Sequence, residues 1–149
     1  MAPQFPEIVD YGSALRFALS AEEACRGLAT AARELAPMPY WHALLEELID
    51  EHRERIERLT AIRQEAHEKT LEPVRSLDGG AYLDALAAEA GDWPEVVERL
   101  IAAEEAAARC HDDLAPSCEG IHGGGAHALK KCAKQDRRAA EELRAMLAR

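Results

Sequence analysis

The chain has 149 residues, a length that suits one compact domain, and we expect residues 1–149 to form a single helical domain. Aromatic residues make up only 5% of the sequence, which disfavours an all-β or Rossmann-type fold. The 28 acidic residues outnumber the 18 basic ones, and the net charge of −10 makes nucleic acid and anionic membranes poor candidate partners.

The sequence also bears on location and on redox chemistry. No apolar run approaches the ~20 residues that a membrane span needs. Residues 1–12 have neither a basic region nor a long apolar stretch, so we expect no secretion signal and a cytoplasmic protein. The four cysteines include no Cys-x-x-Cys pair, which excludes rubredoxin, zinc-ribbon and thioredoxin sites.

Prolines and glycines divide the chain into segments rich in strong helix formers. They predict long helices at about 13–36, 39–69, 93–115 and 126–148, and a shorter helix near 81–90. Asp92 is expected to cap the third long helix, just before Pro94. The predicted fold class is therefore all-α: a four-helix bundle of two helical hairpins, joined by a long crossover that contains the short helix.

Three of the long helices have an acidic residue in the middle of their apolar stripe. Three- and four-residue spacing puts Glu22 on the inward face of the first helix, Glu104 on that of the third and Asp136 on that of the fourth. The same stripes contain Cys25 and His111. Burying a lone carboxylate costs several kcal/mol, and a metal cation shared by the three acids is the simplest compensation.

Two interpretations of these acids remain open. In the first, the apolar stripes face inward as assigned above, and the acids bind a cation. Alternatively, the stripes are shifted by one residue and the acids are solvated, since Glu23 and Glu105 stand beside two of them.

The second helix places a histidine where the others place an acid. Its apolar residues between Trp41 and Leu59 put His52 at the centre of the stripe, with Glu51 at the edge and Glu54 further round. A histidine on an apolar face is often an ordinary core residue, but opposite three inward acids His52 is also a candidate metal ligand.

Four short segments carry a resemblance to a known family. Residues 18–23 (ALSAEE) look like a helix that contributes one Glu, and residues 100–105 (LIAAEE) look like its repeat. Residues 50–54 (DEHRE) and 135–139 (QDRRA) stand where two Glu-x-x-His segments are expected. On these motifs the chain resembles the ferritin-like superfamily, and within it the rubrerythrin-type four-helix bundles.

The resemblance implies a function and a ligand set. It implies iron handling or metal-dependent oxidation of the rubrerythrin type, with one or two iron ions or another divalent metal, and a homodimer is plausible. The chain departs from the family at Glu54 and Ala139, which stand where histidines are expected. The implied ligands are Glu22, Glu51, Glu104 and Asp136, with Glu54 or His52 as an additional ligand.

Two rival hypotheses belong to other classes. A metal-free descendant of such a bundle would serve as an interaction or assembly module, with its inward acids paired to Arg26, Arg55 or Arg138. A thiol-based sensor, or a separate zinc or copper site, would use the cysteines and histidines gathered between residues 110 and 132. These are Cys110, His111, Cys118, His122, His127 and Cys132.

Overall fold

The computed structural model describes residues 3–149, and over this range the protein is predominantly helical. The all-α prediction is confirmed, with one small two-stranded sheet added to it. In chain order the elements are β1 (Ile8–Asp10), α1 (Tyr11–Leu35), α2 (Pro39–Glu65), a 3₁₀ turn (His67–Lys69), β2 (Pro73–Leu77), α3 (Gly80–Leu86), α4 (Glu95–Glu119) and α5 (Gly123–Leu147).

The four long helices pack around one core, with α1 against α2 and α4, and with α5 against α4 and α2. An ion pair joins Glu105, in the first half of α4, to Arg144 near the end of α5, and another joins Glu119, the last residue of α4, to Lys130 in the first half of α5 at 3.5 Å. Helices α4 and α5 are therefore antiparallel.

The start of α1 lies beside the end of α4. The hydroxyl of Tyr11 contacts Nδ1 of His122, in the loop that follows α4, at 2.8 Å. Because α1 is antiparallel to α4 and forms a tight hairpin with α2, helices α2 and α4 run parallel. The connection between them, residues 66–94, crosses the length of the bundle and carries β2 and α3.

The first strand of the small sheet leads directly into α1. Strand β1 pairs antiparallel with β2, with Ile8 opposite Leu77 and Asp10 opposite Pro73. Asp10 then caps α1, because its carboxylate accepts a hydrogen bond from the backbone N–H of Ser13 at 2.8 Å. The Asp10 backbone N–H in turn donates to Oγ of Ser13 at 3.0 Å, which completes a capping box.

The crossover is fixed to the first turn of α1. The backbone N–H groups of Tyr11 and Gly12 donate to the carbonyl oxygens of Glu72 and Thr70 at 2.9 and 2.8 Å. A Cβ at Gly12 would lie 2.9 Å from Cβ of Thr70, so a glycine is needed for this close approach.

Helix α4 differs from its prediction at both ends. It continues through Pro116 to Glu119, because Ala115 and Cys118 are buried and packing holds the last turn in place. The predicted Asp92 side-chain cap is wrong: the backbone carbonyl of Asp92 accepts from the N–H of Val96 at 2.8 Å, and the helix has no side-chain cap. The predicted helix near 81–90 is α3.

The core is built mainly of small side chains, which let the helix backbones approach closely. Among the larger side chains, the rings of Trp41 and Trp93 meet edge-on with their centroids 4.9 Å apart, and the buried ring of Phe17 meets that of Tyr82 of α3. Between residues 3 and 149, no helix combines the length and the apolar character needed to cross a membrane.

Candidate metal centre

Seven side chains of metal-ligating or charged type meet in the middle of the bundle, and each is at most 2% exposed. All four long helices contribute to this group, which we call the core cluster. Its members are Glu22 and Cys25 from α1, His52 and Arg55 from α2, Glu104 and His111 from α4, and Asp136 from α5.

Glu22 lies at the centre of the core cluster. Its Oε1 accepts a hydrogen bond from Nε of Arg55 at 2.7 Å and lies 2.9 Å from Nδ1 of His52. Its Oε2 lies 2.9 Å from Nε2 of His111. Both oxygens of this fully buried carboxylate are therefore engaged by groups on two other helices.

His52 and His111 each link two acids. The ring of His52 contacts Glu22 through Nδ1 and Oε1 of Glu104 through Nε2, so it spans the core from α1 to α4. His111 lies between Glu22 and Asp136, with its Nε2 3.2 Å from Oδ2 of Asp136.

Several polar atoms of the core cluster have no hydrogen-bond partner. Oε2 of Glu104 and Nδ1 of His111 are buried and unpaired. Asp136 has Oδ1 at 3.2 Å from Nη2 of Arg55, within ion-pair distance, yet neither of its oxygens has hydrogen-bond geometry. Buried polar groups in proteins are normally satisfied, so these unpaired atoms show that the side chains of the core cluster do not fully satisfy one another.

Burial disfavours the charged form of every group in the core cluster, and the neighbouring charged groups determine whether each pKa rises or falls. Burial works to raise the pKa of Glu22, but His52 and His111 outweigh it and hold that pKa well below its usual value. Burial lowers the pKa of His52, but Glu104 and Glu22 outweigh it and raise the pKa to about 10.

The other two ligand-type residues beside Glu22, His111 and Asp136, also have raised pKa values. Burial lowers the pKa of His111, but its contacts with Asp136 and Glu22 outweigh this and raise the pKa to about 9. Burial, followed by repulsion from Glu22, raises the pKa of Asp136 well above its usual value.

The charges of the core cluster can be balanced in two ways. The three carboxylates and the guanidinium of Arg55 leave two negative charges in excess when no other group is charged. Two protons, held among the histidines and Asp136, neutralise this excess. One divalent cation neutralises it equally well once those protons have left.

Two groups of three residues within the core cluster have the spacing of metal ligands. One is Cys25, His52 and Glu104, and the other is Glu22, His111 and Asp136; in each, the donor atoms all lie within 4.8 Å of one another. Imidazole, carboxylate and thiolate together are the donor set of divalent transition metals.

The structure brings four of the six predicted ligands into the core cluster: Glu22, His52, Glu104 and Asp136. Glu51 and Glu54 do not join it. Glu51 has 43% of its side chain exposed and reaches only Nη1 of Arg55, at 4.0 Å, while Glu54 is exposed on the outer surface of α2.

Helix geometry explains this difference on α2. The two residues that point inward are His52 and Arg55, three positions apart and each one position after the pair that the family resemblance implied. Hydrophobic periodicity, which singled out His52, was therefore the better guide to the inward face.

Sequence reasoning did not select Cys25 and His111 as ligands of this site, although a signal for both was present. Each lies on the inward stripe of its helix, His111 seven positions after Glu104 and Cys25 three positions after Glu22. A stripe that contains an acid at its centre therefore identifies the next inward residues as candidate partners.

The cysteines and histidines between residues 110 and 132 do not form one site. His111 belongs to the core cluster, His127 is exposed, and His122 caps α5 by accepting from the N–H of Gly125 at 3.2 Å. The cysteines of this region are unpaired and buried, and burial raises the pKa of Cys118 to about 11. A reactive thiol needs the opposite, a lowered pKa and solvent access.

Comparison with known proteins found no match: no protein-family model, curated protein or solved structure matches this chain.

Proposed function

We propose that the protein is a metal-binding helical bundle that holds a divalent transition metal ion in the core cluster. The observation that carries this proposal is the convergence of buried ligand atoms from all four long helices, several of them unpaired. Leaving such atoms unsatisfied costs about 1–3 kcal/mol each, and a bound ion would remove that cost.

The ferritin-like resemblance supports iron as the ion. A bundle of two hairpins with a single long crossover is a topology of ferritin-like proteins, whose metal sites use inward acids and histidines at mid-helix. Here α2 and α4 are joined by such a crossover, and Glu22 and Glu104 lie at the centres of α1 and α4. The family function that goes with this arrangement is iron handling or metal-dependent oxidation.

The charges of the core cluster favour one ion over two. Arg55 already supplies a permanent positive charge beside Glu22 and Asp136, so one divalent cation completes neutrality. A second cation would place two further positive charges in a region that is shielded from water. We therefore expect one ion per chain.

Metal analysis tests this proposal directly. Untagged protein is stripped with a chelator, loaded anaerobically with Fe²⁺, freed of excess metal and analysed for iron per chain. We expect one tightly held ion in the wild type and weaker binding in Glu22→Gln, which keeps the size of the side chain but removes the charge beside Nδ1 of His52.

Glu23→Gln is the matched control, because Glu23 is the next residue on α1, has the same charge and is exposed. It should bind iron as the wild type does. Wild-type protein that is folded by circular dichroism, yet holds no Fe²⁺, Zn²⁺ or Co²⁺ after loading, would exclude the metal-binding function.

One observation favours a second candidate, a metal-free bundle that acts as an interaction module. Arg55 pairs with Glu22 and Asp136, so part of the core cluster is already stabilised by an internal cation. The two candidates differ in the loading experiment: the metal-free protein would remain without metal and its melting temperature would not respond to added ions.

A further inference from the structure

We propose that the ion is held by Cys25, His52 and Glu104, with the sulfur of Cys25 as a thiolate ligand, while Glu22, His111 and Asp136 remain an ion-pair network around Arg55. This inference rests on the proposed function and assigns its ligands. It makes the site one with sulfur, nitrogen and oxygen donors, in place of the all-carboxylate and imidazole site that the family resemblance implied.

The orientation of His52 is the first argument. A metal-binding histidine normally donates its other ring N–H to a carboxylate, which fixes the ring and its tautomer. Nδ1 of His52 has such a partner in Oε1 of Glu22 at 2.9 Å. This hydrogen bond leaves the lone pair of Nε2 directed at the side of the core where Glu104 lies.

Arg55 does not compete for Nδ1 in the ring plane. Its Nη2 lies 3.1 Å from Nδ1 and 3.5 Å from Nε2 of His52, and a position so nearly equidistant from both ring nitrogens is over the face of the ring. The in-plane partner of Nδ1 is therefore Glu22, and Nε2 faces Oε1 of Glu104, the next proposed ligand.

The second argument is the state of Glu104. Its Oε1 is next to Nε2 of His52, while its Oε2 is buried without a partner. Cys25 is fully buried, and its Sγ lies within 4.8 Å of the ligand atoms of His52 and Glu104. Three donors from three helices thus surround one position, and one of them carries an unsatisfied buried oxygen.

The alternative group, Glu22, His111 and Asp136, is held together by internal ion pairs. Both oxygens of Glu22 accept from or face cationic side chains, and Asp136 lies 3.2 Å from both Arg55 and His111. Nδ1 of His111 has no acceptor to orient the ring, unlike Nδ1 of His52. This group therefore has neither free ligand atoms on Glu22 nor an oriented histidine.

The donor set defines the class of metal. A thiolate and a carboxylate carry two negative charges, which match one divalent ion, and coordination deprotonates the thiol. Sulfur and imidazole donors favour Zn²⁺, Co²⁺ or Fe²⁺ and disfavour Mg²⁺ and Ca²⁺, which require oxygen ligands.

The absorption spectrum of bound Co²⁺ shows whether sulfur is among its ligands. Co²⁺ is added to chelator-stripped protein, and binding is followed by metal analysis and by near-ultraviolet and visible absorption. We expect bound Co²⁺ with a sulfur-to-cobalt charge-transfer band in the wild type. In Cys25→Ser the band should disappear, and in Cys132→Ser, which alters a buried cysteine outside the three ligands, it should persist.

A second measurement needs no variant, in case Cys25→Ser fails to fold. X-ray absorption of the zinc-loaded wild type should show one sulfur neighbour at about 2.3 Å among lighter ligands. Co²⁺ or Zn²⁺ bound without a sulfur neighbour would overturn this inference and leave the proposed function standing. Failure of folded wild-type protein to bind any of these ions would overturn the proposed function and this inference with it.

Discussion

Arg55 brings a permanent charge into the middle of the bundle, where its side chain is only 2% exposed. Its Nε donates to Glu22 at 2.7 Å and its Nη2 lies 3.2 Å from Asp136. Taking such groups out of water is costly, and their mutual attraction offsets that cost only while every partner is present. Arg55 therefore matters less as a source of stability than as the residue whose loss leaves acids uncompensated.

Replacing Arg55 tests this view. Arg55→Met keeps much of the aliphatic volume but removes the charge from beside Glu22 and Asp136. We expect the free energy of unfolding of the metal-free protein to fall by about 3–5 kcal/mol in urea titrations.

The control for this variant is Arg53→Met. Arg53 is two positions away on α2, half exposed, and pairs with Asp50 at 3.3 Å on the surface. Its replacement should cost no more than about 1 kcal/mol, as is usual for exposed ion pairs. Equal urea midpoints for the two variants would contradict the role assigned to Arg55.

The acids of the core cluster were predictable, and so were two of their partners, His52 and Arg55, whereas Cys25 and His111 were not selected. A charged residue at the centre of an apolar stripe is a strong signal, which is why Glu22, Glu104 and Asp136 were identified from spacing alone. Which partner each acid takes depends on the rotation of α2 about its axis. A shift of one residue there decides between Glu51 with Glu54 and His52 with Arg55, and only packing against the other helices fixes it.

At the scale of elements, the first turn of α5 shows how three adjacent glycines can have different roles. The ring of His122 accepts from the N–H of Gly125 and also contacts the hydroxyl of Tyr11. A Cβ at Gly125 would lie 2.0 Å from Oη of Tyr11, whereas a Cβ at Gly123 would meet nothing within 4 Å. Gly125 is therefore required for the contact between α5 and α1, and Gly123 is not.

Two alanine variants separate these roles. Gly125→Ala should destabilise the protein by about 1–3 kcal/mol, because the added methyl group must displace Tyr11. Gly123→Ala should be neutral or stabilise by up to about 1 kcal/mol, because alanine restricts the unfolded chain and favours helix. Thermal unfolding of both variants measures the difference, and a Gly125→Ala protein as stable as Gly123→Ala would be inconsistent with this contact.

The long helices were predictable from the sequence because prolines and glycines bound segments that are rich in helix-forming residues. The small sheet was not: β1 has three residues and β2 has five, too short for alternation to stand out. The end of α4 was also missed, because a proline normally marks a break and the burial of Cys118 beyond it is a tertiary effect.

For the whole molecule, the core cluster links stability to pH. The pKa values of His52 and His111 are raised to about 10 and about 9, against about 6.5 in an unfolded chain. A group with a raised pKa stabilises the folded state fully below its unfolded value, and this stabilisation is lost as the pH rises through the folded value. The metal-free protein should therefore become less stable between about pH 7 and pH 10.

Metal should reverse this dependence, because binding releases the protons that the metal-free core cluster holds. At a Zn²⁺ concentration that is 100 times the dissociation constant at pH 7, stability should rise by about 2.7 kcal/mol at that pH, and at the same Zn²⁺ concentration the increment should grow as the pH rises. Urea midpoints at several pH values, with chelator and with Zn²⁺, measure both effects.

The matched control for the pH series is the exposed histidine of α5, His127. In chelator, His127→Asn should keep the decline of the wild type at alkaline pH, and His111→Asn should reduce it. A metal-free wild type whose urea midpoint is constant across this range would contradict the linkage between the core cluster and folding.

The complete burial of the core cluster has a consequence for rates. Since its ligand atoms are sealed from solvent by four packed helices, exchange with the bulk requires a transient separation of those helices. Helix α2 packs less extensively on α5 than on α1, which makes the seam between α2 and α5 the easiest place for such an opening. The rates of metal binding and of metal release would then both be limited by this opening of the bundle. An ion bound with ordinary affinity would therefore stay in the protein for a long time.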